Sequence, residues 1–141
     1  MTDILTALSI LIATITGLTT YIQNRKAQKV AHTASVIANI STSERLAESS
    51  FCITKLINSK QQISLAGLDP KTESHMVDIL DYYEFLCDLY EAGVINRLTL
   101  IELRGQLMKR TWEVCETYIM ETRLIQNRQV YSGFEKFVKN L

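Results

Sequence analysis

Nineteen consecutive residues without a formal charge, Ile4 to Ile22 in "ILTALSILIATITGLTTYIQNRK", constrain this chain more than any other feature. As a helix rising about 1.5 Å per residue they reach just under ~30 Å, about the hydrocarbon thickness of a bilayer. A soluble domain of 141 residues seldom needs an uncharged helix that long, because one of its faces must meet water. The flanks narrow the options. A secretory signal peptide carries basic residues ahead of its apolar run. Here the only charged side chain before the run is Asp3, and the basic side chains follow it at Arg25, Lys26 and Lys29. The positive-inside rule then predicts a single span, with a short N-terminal end outside and the remaining bulk in the cytoplasm. The expected division is a transmembrane helix over 1–24 and a cytoplasmic helical domain over 25–141. Hydroxyls at Thr6, Ser9, Thr14, Thr16, Thr19 and Thr20 make the run only marginally hydrophobic. They keep open the alternative of a buried helix in a soluble bundle.

The polar residues are sorted by face. At about 100° per residue, Thr6, Ser9, Ala13, Thr16, Gly17 and Thr20 fall in one stripe, with Ile4, Leu8, Leu11, Ile15, Leu18 and Ile22 opposite. Ser9, Ala13 and Gly17 form a small-xxx-small ladder of the kind that lets helices approach closely in lipid. This predicts an oligomer or pore face turned toward copies of the same helix. The competing reading is that the hydroxyls bond only to their own preceding turn.

Beyond the basic flank the signals stay helical and strand signals are weak, so the expected fold is all-α. It is a long N-terminal transmembrane helix continuing to about Ile40, then a small cytoplasmic helical bundle, assembled as a homo-oligomer. "STSE" at Ser41 to Glu44 reads as a capping box opening a second helix to about Ser59. "LAGLDPKTE" reads as a loop, followed by a third helix from about Thr72 to Ala92 stopped by Gly93. "TLIE" at Thr99 to Glu102 reads as another capping box, with Leu98 and Leu103 as its staple, opening a fourth helix to about Tyr118 that bends or restarts near Met120. "SGFE" at Ser132 to Glu135 caps a terminal helix. The expected core is Met76, Ile79, Leu80, Tyr83, Leu86, Cys87 and Tyr90 on the third helix. It meets Leu100, Leu103, Leu107, Val114 and Tyr118, flanked by Ile101, Met108 and Ile119, on the fourth, and the two helices pair as an antiparallel hairpin.

Little in this chain points to catalysis. Fifteen basic and fifteen acidic side chains balance, so any preference for an anionic partner must come from a local patch. Cys52, Cys87 and Cys115 are odd in number and far apart, which fits reduced thiols better than a disulfide framework or a zinc site. His32 and His75 are the only histidines, and no phosphate-binding loop, nucleophile elbow or zincin motif is present, so no cofactor and no enzyme activity are expected. Asp81, Glu84, Asp88 and Glu91 line one edge of the third helix and read as a solvated face or one that meets a basic neighbour. Arg104 projects into the apolar sector of the fourth helix, where a guanidinium needs an acidic partner, carbonyls, or an anionic ligand. Lys109, Arg110, Trp112, Arg123, Arg128 and Tyr131 mix cations with aromatics, a composition that suits single-stranded nucleic acid and also ordinary surface. Arg104, Lys109, Arg110, Trp112, Arg123 and Arg128 are therefore the candidate anionic-ligand residues.

The stretch "DYYEFLCDLYEAGVINRLTLIELRGQLMKRTWEVCETYI", Arg123, and "YSGFEKF" near the end resemble a bacterial family of unknown function. Its members have one N-terminal span and a helical cytoplasmic domain. The layout also resembles the membrane effector of the Hailong anti-phage system. That resemblance implies an inner-membrane, homo-oligomeric channel restrained by single-stranded DNA oligomers from a partner nucleotidyltransferase. Loss of the DNA would open the pore and depolarise the infected cell. The other expectations are a non-conducting anchored interaction module, as in superinfection exclusion, and a soluble all-α regulatory protein.

Overall fold

A computed structural model describes residues 2–59 and 62–141; the side chains of 2–5, 40 and 41 lie outside what it describes. All regular structure among the described residues is helical. The elements are α1 (Thr2–Ser41), α2 (Glu44–Ser59), a 3-10 turn (Leu65–Gly67), α3 (Pro70–Glu91), α4 (Arg97–Leu100), a π-helical segment (Ile101–Gly105), α5 (Gln106–Ile125) and α6 (Ser132–Lys139).

Helix α1 has 40 residues, about 60 Å at the usual rise. It runs unbroken past residue 24, and every described side chain from 6 to 32 is exposed. Contact with the bundle begins at Thr33 and Ile37, both buried. The Thr33 hydroxyl donates to the Lys29 carbonyl and accepts from the Asn96 N–H at 2.8 Å, which ties α1 to the start of α4.

Several helix starts differ from the sequence expectation, each for a local reason. Ser41 is the last residue of α1 and its side chain lies outside the described residues; α2 opens at Glu44 instead. Helix α3 starts earlier than Thr72, because Asp69 accepts from Lys71 N and Thr72 N while Pro70 occupies the first turn, where its missing N–H is harmless. Asn96, not Thr99, caps α4 by accepting from Thr99 N. Leu98 and Leu103 are exposed and form no staple; the buried pair at the staple positions is Ile95 and Leu100. At α6 the cap is Tyr131, in the left-handed region at φ 56°, with Ser132 already helical. Gly93 stops α3 as expected, at φ 72°, where a Cβ would be strained.

The fourth helix neither ends at Tyr118 nor restarts near Met120: α4, the π segment and α5 are continuous to Ile125. The irregularity sits at Ile101–Gly105, where an extra residue per turn shifts the helix phase and turns Leu103 outward. The hairpin expectation is also corrected. The closest backbone neighbours of α3 are α2 and α6. Phe134 of α6 packs on both helices, 5.4 Å from the Tyr83 ring of α3 and 5.6 Å, edge-on, from Trp112 of α5, while the Tyr118 hydroxyl of α5 donates directly to Glu73 of α3. The rest of the expected core is buried as read, with Tyr90, Ile101 and Leu107 at its margin.

Candidate functional site

Two regions hold the sequence-derived candidates, and the structure treats them differently. On α1, Thr6, Ser9, Ala13, Thr16, Gly17 and Thr20 are all exposed along one side. Ser9 donates to Thr6 O, Thr16 to Ile12 O and Thr20 to Thr16 O, each at 2.8 Å. Thr14 and Thr19 bond back in the same way. No neighbouring atom lies within 4 Å of a Cβ built on Gly17. The opposite side presents Leu8, Leu11, Ile15, Leu18 and Ile22, again exposed. Within Thr6–Asn39 the apolar stretch of α1 is wholly unburied, and this helix is long and apolar enough to cross a membrane.

Below it lies a basic collar. The Arg25 guanidinium sits 5.6 Å from the Tyr21 ring centroid, an aromatic–cation pair of the type found at membrane–water boundaries. Arg25, Lys26, Lys29 and His32 share a shallow groove of about 530 Å³ with Gly93 of the bundle.

The anionic-ligand candidates are not brought into one cluster. Trp112 is buried, 5% exposed and packed on Phe134, so its ring is a core element and not a stacking platform. Arg123 pins α5 to α6: it pairs with Glu135 at 2.7 Å and donates to the Val130 carbonyl at 2.8 Å. Lys109 and Arg128 are exposed on different elements. Arg110 borders a shallow depression shared with Arg104.

Arg104 is the exception. It lies in the π segment and lines a cavity of about 400 Å³ with Leu46, Ala47, Ser50 and Phe51 of α2, Ile79, Tyr82 and Tyr83 of α3, and Leu107. Its Nε is buried and has no hydrogen-bond partner among the described residues; the same holds for the Tyr82 hydroxyl. Burial pushes the Tyr82 pKa up; the Arg104 guanidinium, which approaches its hydroxyl without a well-formed hydrogen bond, opposes the rise by that approach and by its charge. Burial pushes Tyr83 up to about 12. Sequence reasoning singled out Arg104 but not Tyr82, which the helical wheel puts at the border of the α3 core; its only signal was the position inside "DYYE".

Several other polar groups tie the helices together. The acidic edge of α3 meets α6: Glu84 accepts from Gly133 N at 3.0 Å and Phe134 N at 2.6 Å, Asp81 accepts from the Tyr131 hydroxyl, and Glu91 pairs with Lys136. Gly133 makes that approach possible, since a Cβ there would sit 3.2 Å from the Glu84 carboxylate. Ser49, bonded to His75 Nδ1 at 3.0 Å, and the Arg45–Asp78 ion pair lock α2 to α3. Ser49 is fully buried, which keeps its hydroxyl from acting on a substrate.

Residues 7–141 match the family described as Domain of unknown function (DUF4760). No curated protein matches the chain. No solved structure matches it.

Proposed function

The chain belongs to that family, whose description assigns no activity; from the resemblance to the Hailong membrane effector and the exposed apolar α1 we propose that it is a membrane effector of a bacterial anti-phage system. In this reading it is a single-pass inner-membrane protein whose copies assemble through α1 into a gated, ion-conducting pore, with the bundle in the cytoplasm. The bare rod supports it most. Seven large aliphatic side chains from Leu8 to Ile22 are each about half exposed; at roughly half of the ~1.5–3 kcal/mol for full burial, covering them with lipid or protein is worth roughly 5–10 kcal/mol. That is as large as the whole stability of an ordinary domain. A helix left this bare needs a cover.

The hydroxyl side supports assembly rather than anchoring alone. Ser9, Thr16 and Thr20 give their protons to their own helix, so no donor is stranded in hydrocarbon, yet each oxygen still accepts. Several rods with that side inward would line an ion path with oxygens and leave the aliphatic side to lipid. The bundle then senses the gating ligand. An anionic ligand at the cytoplasmic domain, single-stranded DNA oligomers from a partner nucleotidyltransferase in the reading the Hailong resemblance suggests, holds the pore closed until it is lost.

Proteoliposomes carrying a potential-sensitive dye test this. The wild-type protein should discharge an imposed potential, and Gly17→Leu, which blocks close helix approach, should not. Identical inactivity of both would discard the pore. A second reading, a non-conducting anchor displaying an interaction module, draws on the same back-bonded hydroxyls, which need no partner helix. It expects a heterologous span in place of 1–24 to keep phage defence intact, whereas the pore reading expects defence to be lost.

A further inference from the structure

We propose that the cavity between α2, α3 and the π segment is a binding site for a small molecule with an oxyanion head and a flat apolar body. Two observations, made independently of α1, lead there. First, Arg104 and Tyr82, whose Nε and hydroxyl the fold leaves buried and unsatisfied, both line one cavity. Tyr82 is only 8% exposed. Leaving such groups unpaired costs about 1–3 kcal/mol each, more for a charged one. Among the described residues Thr111 Oγ1 and Arg123 Nη2 are also unpaired, but neither residue lines this cavity, whereas Arg104 and Tyr82 meet there. Second, Arg104 stands in the π-helical turn, a rare irregularity frequently found at functional sites.

The lining defines the ligand. Among the described residues no carboxylate lines the cavity and Arg104 makes no ion pair, so its charge is available to an anion. The Tyr82 hydroxyl keeps its proton at neutral pH and can donate beside it. Leu46, Ala47, Ile79 and Leu107 supply apolar walls, and the exposed Phe51 ring stands at the rim with the Lys55 ammonium 4.5 Å from its centroid. About 400 Å³ suits a molecule of one or two rings. The head fits a phosphate monoester or a carboxylate. Where the bundle is the sensor of the reading above, this site would give its ligand class; binding is read without any measure of conduction, so each idea can fail alone.

Calorimetric titration of the detergent-solubilised full chain with phenyl phosphate, benzoate and neutral benzyl alcohol tests the site. One anionic probe should bind once per chain and about tenfold or more tighter than benzyl alcohol, near 1.4 kcal/mol; which one does so separates a phosphate from a carboxylate source. Tyr82→Phe and Arg104→Met should each weaken that probe about tenfold. Without ligand, Arg104→Met should hold or raise the melting temperature, because it removes an unsatisfied buried group. No saturable binding of either anion up to about 10 mM would overturn the proposal. So would equal binding of neutral and anionic probes, binding that ignores both substitutions, or a melting temperature lowered by both Arg104→Met and Arg104→Lys, which would make the arginine a structural strut.

Discussion

The rod of α1 and the bundle of α3 to α6 use the same 3.6-residue period and reach opposite outcomes. In the bundle, Tyr83, Phe134, Leu80, Leu86 and Met108 are essentially removed from solvent by one another. In the rod, side chains of the same character stand exposed from Leu8 to Ile22, while the backbone and the hydroxyls are satisfied internally. The difference teaches what each half lacks. The bundle has met both demands of a soluble fold, apolar burial and polar pairing, save at a few buried atoms such as Arg104 Nε and the Tyr82 hydroxyl. The rod has met only the second, which is the one that a bilayer imposes.

The sharpest way to break that contrast is to charge the rod. Leu11→Arg with Ile15→Arg places two guanidinium groups on the aliphatic side, at about 2.5–3.5 kcal/mol each near the centre of a span, roughly 5–7 kcal/mol together. Carbonate-resistant membrane association should fall from nearly complete to nearly absent, while the thermal unfolding of the bundle stays where it was. A double variant that remains in the membrane fraction would show that lipid is not what covers the helix.

The reciprocal change is next in size. Phe134→Ala removes the ring wedged between Tyr83 and Trp112 and should destabilise the bundle by about 3–5 kcal/mol. Chemical denaturation followed by Trp112 fluorescence reads the loss, and membrane association should not change. A fall in both properties would mean that the two regions do not stand apart.

How much of this was legible beforehand follows the same divide. The rod was readable because its signal is composition along one uninterrupted segment, and the small-residue stripe needed only the helical period. Most of the α3 and α5 core was readable for the same reason. The packing order was not. Phe134 inserting between α3 and α5 depends on a long-range fit that no local pattern encodes, and the π turn at Ile101–Gly105 displaced Leu103 from the face an ideal helix would give it. Cap positions were misread by a few residues where two polar side chains competed, as with Asn96 and Thr99. In the candidate site, Arg104 was visible as a cation on an apolar face. Its partner Tyr82 was not, because a tyrosine at a core boundary looks the same whether or not its hydroxyl is paired.

Glu84 offers a finer probe of the bundle. Its carboxylate accepts from two backbone N–H groups at the start of α6, where the helix dipole also favours negative charge. Glu84→Ala should cost about 1.5–3 kcal/mol, less than Phe134→Ala, because water can partly replace the acceptor. Hydrogen exchange at Gly133 and Phe134 should speed up more than exchange in α3. Uniform acceleration across the bundle would contradict a role confined to the α6 terminus.

The smallest effect is the response to pH, and it separates the regions because the rod side chains from Thr6 to Thr20 carry no titratable group. In the bundle, hydrogen bonds from Arg45 hold Asp78 below the usual carboxylate range, and Lys139, then Arg123, do the same for Glu135. A carboxylate whose pKa is depressed by folding contributes stability that is complete above its unfolded value near 4 and is lost as pH falls through the folded value. The alkaline limb has the opposite sign. Burial pushes the Cys115 thiol up to about 12 from an ordinary 9.0, so its contribution is complete below that ordinary value and is lost as pH rises through the folded one. The melting temperature of the bundle should therefore be flat between about pH 5 and 8, decline below about 4 and decline again above about 9. Membrane association should stay constant down to pH 4. A melting temperature unchanged from pH 7 to pH 3 would show that the Arg45–Asp78 and Arg123–Glu135 pairs leave folding energetics untouched.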